Sequence, residues 1–445
     1  MKKFSFTLLL FLGVYACTYG QIYRHYWLND FGRNHTLNKR MMANAPTNHG
    51  FVLAATTQDS CGSVFNETVT RSGIVIMKLF RNYTIEQCRI FKTSNDESAF
   101  NYDFEVYDIY PNLDKYYICG KMSDLSTGAV MGFVGIVDTF LNQMTLHKFT
   151  DVEKLVSIYA ESGIYFACGK KGNGGILVCN DNPGMYKVVN TEYPLYKIKA
   201  KNNGGEINVV GGDIANVIYL NAQTTFLSCV KWTFQALNNE CISITNYPGN
   251  RQGVIISTSY QDSVYIYLLS DLGNCINVYS FQEPSGFNLF VKDINCSNSK
   301  LAVTGLYDDS GNQHAFFFRS NIIFPSTLTS PTYLRFPPSV PNASFKFYKT
   351  FFDFTDSLFH CGGYCDYNYN TTTFTGTPEL LISSGEDDCA QTRSVKLYPQ
   401  NTVQPMWFNT IIEFNIPYEN QEMIGWDKTY YISDDCEGII NFNNK

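Results

Sequence analysis

Short apolar strands separated by polar turns recur along the whole chain. The clearest copy is "IYFACGKKGNGGILVCN" (residues 164–180), where two apolar runs flank a glycine-rich turn and predict a β-hairpin. Similar second strands, most of which end in a small residue followed by Gly, begin at Phe51, Tyr116, Ile164, Ile207, Val254, Leu301 and Leu358. A repeat of roughly 40 to 60 residues built from four strands is typical of a β-propeller.

The two ends of the chain set the predicted number of blades. After the seventh unit, strand-like segments begin at Asn409, Lys428 and Gly438, and a fourth-type strand, "IYRHYWL", lies at residues 22–28. We therefore predict an all-β fold: a β-propeller of eight four-stranded blades, closed by three C-terminal strands and one N-terminal strand. Seven blades is the alternative. Residues 21–445 would form a single domain.

The N-terminus has the pattern of an export signal. Lys2 and Lys3 precede an apolar run at residues 6–16 that is too short to span a bilayer, which predicts a signal peptide over residues 1–20. The alternative is lipidation of Cys17 within "VYAC". Both interpretations place the protein outside the cell or on its surface. No later segment is predicted to cross a membrane.

Composition narrows the classes of partner. The 445 residues carry a net charge of −7 with 33 Lys and Arg and no basic block, which argues against nucleic acid as a partner. Charged residues and aromatic residues each make up 16% of the chain, a balance that suits β-strands. We expect a monomer.

The spacing of glycines and aromatics forms the cadence "GG(Y/F)xxxG…G(F/I)xxxxD…GNxxW". In this cadence the chain resembles the secreted β-propeller repeat proteins of Bacteroidetes-type bacteria. The resemblance implies a propeller fold and an exported location. It implies no catalytic residue.

Cysteines occupy a repeated position in the pattern. Cys119, Cys168 and Cys361 each precede a Gly, and Val210 and Thr304 stand at the equivalent places. A position that accepts Cys, Val or Thr is a packing position for a small side chain.

Two pairs of cysteines are candidate disulfides. Cys168 and Cys179 lie on neighbouring strands of one predicted hairpin, and Cys361 and Cys365 form a CxxxC pair beside His360. Zinc would need a second pair of ligands, and none is visible nearby. We predict no metal site.

Motifs of known chemistry do not appear. "GKKGNGG" (residues 169–175) lacks the phosphate-loop spacing and precedes a strand, and the chain contains neither GxSxG nor HExxH. We predict no cofactor. Paired carboxylates are defined by distance in space, so a secreted hydrolase or lyase acting on polysaccharide stays an alternative.

The strongest candidate for ligand binding is "YCDYNYNTTTFTGT" (residues 364–377), expected to be a loop on the same face as two others, at residues 56–73 and 399–407. Aromatic rings with Asn and Asp can stack on and hydrogen-bond a ligand. We predict a non-catalytic binding or interaction module for a glycan or protein; a purely structural surface protein is a further alternative. The candidate ligand-binding residues are Tyr364, Asp366, Tyr367, Tyr369, Asn370 and Phe374.

Overall fold

The structure is a computed structural model. It describes residues 24–29, 43–47, 50–58, 72–80, 85–93, 101–182, 185–201, 205–225, 228–236, 242–247, 253–270, 272–297, 300–323, 327–335, 344–352, 359–369, 372–383, 391–393, 395–402, 406–409, 413–414, 416–427 and 431–434. The predicted signal peptide, residues 1–20, lies outside these ranges, as does Cys17.

The described residues form β-strands that fall into seven units of four. The N-terminal strand is β1 (Arg24–Asn29). Units one to three contain β2 (Ala43–Pro46), β3 (Gly50–Gln58), β4 (Ser72–Phe80), β5 (Ile85–Lys92), β6 (Tyr102–Asn112), β7 (Lys115–Asp124), β8 (Val130–Asp138), β9 (Gln143–Phe149), β10 (Lys154–Glu161), β11 (Ile164–Lys171), β12 (Gly174–Asn182) and β13 (Met185–Thr191).

Units four to seven continue in the same order. They contain β14 (Leu195–Ala200), β15 (Glu206–Gly212), β16 (Asn216–Gln223), β17 (Cys229–Gln235), β18 (Ile242–Asn246), β19 (Val254–Tyr260), β20 (Ser263–Leu269), β21 (Cys275–Gln282), β22 (Asn288–Ser297), β23 (Lys300–Asp309), β24 (Asn312–Ile323), β25 (Thr327–Arg335), β26 (Ser344–Phe352), β27 (Phe359–Tyr369) and β28 (Thr372–Ser383). The C-terminal tail adds β29 (Gln391–Arg393), β30 (Tyr398–Gln400), β31 (Met406–Asn409), β32 (Glu413–Phe414), β33 (Glu419–Asp427) and β34 (Tyr431–Asp434).

The N-terminal strand completes the seventh unit. β1 pairs antiparallel with β28, so β26, β27, β28 and β1 form one sheet. The prediction of an all-β, propeller-like arrangement of small sheets is confirmed in this coarse form. The prediction of eight blades is wrong, because the described parts of the segments assigned to an eighth blade pair with other units. Residues 438–445 lie outside the described ranges.

Those C-terminal segments instead add an outer strand to each unit, in reverse order. β29 pairs with β25, β30 with β21, β31 with β17 and β32 with β13. β33 pairs first with β9 and then with β5, which joins units one and two into a nine-stranded sheet, and β34 pairs with β1. The tail thus covers an outer sheet edge that would otherwise expose unpaired N–H and C=O groups.

The hydrophobic core lies between neighbouring units. One buried cluster joins units one and two through residues such as Ile76 and Phe104, and others join two to three, three to four, four to five, and five to six. β26 contacts both β22 of unit six and β2 of unit one, so each unit contacts the next and the last contacts the first. Burial therefore depends on neighbouring sheets packing face to face.

The repeated Gly of the second strands has a steric reason. A Cβ on Gly169 would lie 1.9 Å from the carbonyl oxygen of Lys154 on the first strand of the same unit. Gly120 and Gly305 meet a first-strand carbonyl in the same way, each at 2.1 Å, and Gly211 meets the carbonyl of Pro194, directly before β14, at 2.0 Å. Directly beyond this contact the first strand forms a β-bulge, as at Val156, between Leu155 and Ser157. The sequence repeat therefore marks a close approach of two backbones.

The tail is anchored at units two and three by a cluster of polar aromatics. The hydroxyls of Tyr165 and Tyr186 lie 2.8 and 2.7 Å from Nδ1 of His147, and the Tyr418 ring packs edge-on against Tyr186 at 4.4 Å between centroids. Burial lowers the pKa of His147 from 6.5 to about 4. His147 is therefore neutral at pH 7.

We expect Gly169→Val to destabilise the protein by about 2 kcal/mol or more, because the side chain collides with backbone that cannot move away. Chemical denaturation monitored by circular dichroism measures the change. Lys170→Ala, one residue along the same strand, is the control and should change stability by less than about 0.5 kcal/mol. Equal stability of Gly169→Val and wild type would contradict the steric explanation.

Acid should weaken the protein through His147. A group whose pKa is lowered on folding contributes stability that is fully present above its unfolded pKa, here about 6.5, and lost as pH falls toward its folded pKa of about 4. We expect a loss on the order of 2 kcal/mol across this window. His147→Gln should flatten that part of the profile. Thermal melts from pH 7 to 4 provide the test, and parallel profiles for the two proteins would refute it.

Candidate functional site

The candidate site is formed by β-bulges at equivalent positions in the first strands of several units. Each inserts one residue that the second strand does not pair: Tyr107, Val156, Tyr196, Lys292 and Tyr348. All five line one pocket of about 830 Å³. Because these residues come from five different units, the pocket is the mouth of a central channel bounded by the first strands.

The residue after each bulge joins a ring of buried polar side chains. Within this ring a backbone N–H of one unit donates to the ring side chain of the preceding unit. Ile158 N donates to Asp108 Oδ2 at 3.2 Å, and Ile198 N donates to Ser157 Oγ at 3.2 Å. The same arrangement recurs from Ile294 N to Ser243 Oγ and from Thr350 N to Asp293 Oδ2. These bonds tie successive units together next to the channel.

Two ion pairs connect units that are not neighbours in the chain order. Lys349 of unit seven lies 2.9 Å from Asp108 of unit two, and Lys197 of unit four lies 2.9 Å from Asp293 of unit six. Ser157 Oγ donates to Asp108 at 2.7 Å, and Ser243 Oγ donates to Asp293 at 3.1 Å. The four charged side chains are buried; Lys197 and Lys349 line the pocket, and the two ion pairs together are called its floor below.

The charge states of the floor follow from this pairing. Burial raises the pKa of Asp108, but the ammonium groups of Lys349 and Lys197 outweigh it and hold that pKa below its usual value. The pKa of Asp293 is lowered in the same way, with Lys197 the largest favourable contribution against burial. Both aspartates are therefore ionised at neutral pH. Neither can act as the protonated acid that glycoside hydrolysis requires.

The wall of the pocket comes from turns on one face of the units. Lys170 and Asn173 come from the β11–β12 hairpin, and Asp213 from the turn after β15. Tyr193 and Pro194 come from the connection between units three and four. The pocket therefore opens on the face that carries the turns between second and third strands.

The predicted ligand-binding stretch has a different local structure from the loop expected. Residues 364–369 belong to β27 and residues 372–377 to β28, and Tyr367 is paired with Phe374. Tyr364, Asp366 and Tyr369 lie on β27, and Asn370 lies outside the described residues. Strand-forming aromatic and Thr residues in this stretch were the missed signal.

The other two predicted loops do not join it in the way expected. Residues 59–71 lie outside the described ranges. The segment 399–407 does not lead into a closing blade: part of it belongs to β30 on unit five and part to β31 on unit four. The prediction that residues 399–407 form a loop on this face is wrong, because the tail runs along the outer edge of the units.

The cysteines of the opening hairpin are core side chains. Cys168 is paired in register with Leu177 and Cys179 with Phe166, and both are buried thiols in one hydrophobic cluster, with no disulfide between them. Burial raises the pKa of Cys168 and Cys119 well above the usual value, so both stay protonated. Cys361 and Cys365 lie on β27.

Two negative findings apply to the described residues. No helix there is long and apolar enough to cross a bilayer. No group of three or more His, Cys, Asp or Glu in that part of the chain could hold a metal ion.

The mouth pocket was not predictable from sequence motifs. Its residues come from six units, and a single lysine or tyrosine on a strand carries no signal by itself. Comparison with known proteins adds no assignment: no protein-family model matches the chain, and no curated protein matches it.

Replacing Lys349 alone should lower the stability of the protein far more than replacing Lys349 and Asp108 together. Lys349→Met leaves Asp108 buried without its nearest cation and should cost about 3 kcal/mol, whereas Lys349→Met combined with Asp108→Asn should recover much of that loss. Urea unfolding of both variants measures the difference. Lys115→Met, at an exposed position, is the control. A double variant less stable than the single variant would contradict this account of the floor.

Proposed function

We propose that this protein is an exported, non-catalytic binding β-propeller of seven blades, whose ligand enters the mouth of the central channel. The observation that carries the proposal is the pocket of about 830 Å³, which is a suitable size for a small ligand or for the end of a larger one. Two ion pairs join units at its floor, where Lys197 and Lys349 face the space a ligand would occupy.

The lining favours a glycan over an apolar ligand. Four tyrosines, Tyr107, Tyr193, Tyr196 and Tyr348, share the pocket with the amide of Asn173. Tyrosine rings stack on the C–H faces of sugars while their hydroxyls and neighbouring amides bond the sugar hydroxyls. A protein segment is the alternative partner.

The length of the β27–β28 hairpin is a second argument for placing the binding surface on the face where the pocket opens. β27 continues for seven residues beyond Gly362, whereas β11 continues for two beyond the equivalent Gly169. At about 3.3 Å per residue, the hairpin therefore extends roughly 16 Å further. It ends on the face where the β11–β12 turn lines the pocket, and we propose that Tyr367 and Tyr369 contribute to a second part of the site.

The state of the carboxylates argues against the alternative of a polysaccharide-cleaving enzyme. Glu192 in the wall accepts both of its bonds from Lys231 at 2.9 Å, and Asp213 accepts bonds from Ala215 N and Asn216 N within its own turn. Together with the ion-paired floor, this supports binding without a proton-donating acid.

A glycan array tests the proposal. We expect the combined variant Tyr196→Ala and Tyr348→Ala to lose about tenfold or more in affinity for any glycan that binds wild type, because two stacking rings are removed. Tyr367→Ala with Tyr369→Ala tests the hairpin separately. Leu113→Asn, at a residue 88% exposed in the β6–β7 turn on the opposite face, is the control.

Thermal melts of each variant show that the fold is retained. Equal binding by wild type and the pocket variant would place the ligand elsewhere. Binding to no glycan, with capture of a defined peptide at the same tyrosines, would replace the glycan with a protein partner.

A further inference from the structure

The mouth pocket carries an unusual balance of charge for this chain. Although the whole protein has a net charge of −7, lysines outnumber carboxylates in the pocket lining. The lysines are Lys154, Lys170, Lys197, Lys292 and Lys349, and the carboxylates are Glu192 and Asp213. When Asp108 and Asp293 are counted as well, five lysines still stand against four carboxylates.

The two carboxylates of the lining are already engaged by neighbouring groups. Lys231, which is not in the lining, binds both oxygens of Glu192 at 2.9 Å. Asp213 Oδ1 accepts from two backbone N–H groups and from Asn216 Nδ2 at 2.9 Å. These bonds reduce the negative potential that either group presents to a ligand.

The lysines of the floor keep donors for a ligand. Lys197 and Lys349 line the pocket, whereas their partners Asp293 and Asp108 lie beneath it. An ammonium has three N–H donors, so one bond to aspartate leaves others available. A Lys292 ammonium also lies 5.8 Å from the centre of the Tyr348 ring, which places a cation directly beside an aromatic surface.

Lys199 follows Lys197 on the same face of β14. Burial, and to a smaller extent the Lys197 ammonium, lowers its pKa to about 8, despite the opposing effect of Asp293 and Asp108.

We propose that the mouth pocket binds an acidic saccharide, with its sugar ring on the tyrosines and its carboxylate or sulfate on the lysines. This rests on the proposed function, since it names the ligand class of the same pocket. Tyr196 and Tyr348 supply the stacking surface, and Lys197, Lys292 and Lys349 supply the charge.

Isothermal titration calorimetry with matched sugars tests the charge requirement. Oligogalacturonate supplies the carboxylate, its full methyl ester has the same backbone without charge, and a sulfated galactan oligosaccharide with its desulfated form provides the sulfate arm. We expect at least one acidic form to bind tenfold or more tighter than its neutral match, and this preference should shrink between 50 and 200 mM salt. Those salt values are about the range over which ionic binding is screened.

Lysine variants locate the effect. Lys292→Met should weaken binding of the preferred acidic form by about fivefold to tenfold and leave the neutral form unchanged, since only the charge is removed. Lys154→Met is a second variant in case the first does not fold. Lys115→Met, at the exposed first residue of β7 on the opposite face, should bind like wild type.

The outcomes separate the two proposals. Equal affinity for acidic and neutral forms, with loss in the Tyr196→Ala and Tyr348→Ala variant, would overturn the acidic ligand and leave glycan binding in place. If both lysine variants still prefer the acidic form, the proposal of an acidic ligand in this pocket is also overturned, because other residues must then bind the acidic group. Failure of every sugar to bind would count against the proposed function itself.

Discussion

Two aspartate–lysine pairs across the channel hold together units that are distant in the chain. Lys349 meets Asp108, and Lys197 meets Asp293, each at 2.9 Å. A buried charge is costly unless it is paired and hydrogen-bonded, so the first strands must stay close enough to keep all four partners in contact. The bulges make this possible because they turn the next residue of each strand toward the axis. The repeated Gly in turn allows the second strand to approach the bulge.

The outermost strand of each unit has one edge that faces away from the channel, and the C-terminal tail pairs with that edge. Each unit ends in a strand whose outer N–H and C=O groups would otherwise be open to pairing with another chain. The tail supplies short outer strands in reverse order and finishes on β1, which itself completes unit seven. The first and last described strands, β1 and β34, are thereby held in one sheet. The aromatic cluster around His147 shows that side chains as well as backbone bonds dock the tail.

The pocket follows from these constraints. Residues that the bulges leave without a partner on the second strand face the channel mouth, and the sequence places tyrosines at three of these five positions. The residues after these bulges form the two ion pairs. The pocket thus combines aromatic rings and lysines with aspartates that are ionised and are not proton donors at neutral pH.

The local pattern of the chain predicted much of the fold. Alternating apolar strands and the small-residue–Gly pair are local features, and they were enough to predict a propeller-like arrangement of small sheets. The N-terminal strand was assigned to an eighth blade, whereas β1 completes unit seven. The packing position of Cys168 was predictable for the same reason, since Val210 and Thr304 replace it in other units. The number of units and the path of the tail were not, because an outer strand and a blade strand have similar composition.

Only the tertiary structure decided which residues form the site. Asp108 and Lys349 are separated by most of the chain, and neither stands in a motif that would connect them. Tyr348 and Tyr196 gain their position from bulges whose effect is visible only when seven first strands surround one axis. The sequence by itself determined the repeating strands and the close backbone contacts, which are local. Which charged side chains and aromatic rings meet at the channel was decided by the arrangement of the sheets around it, because those contacts join residues far apart in the chain.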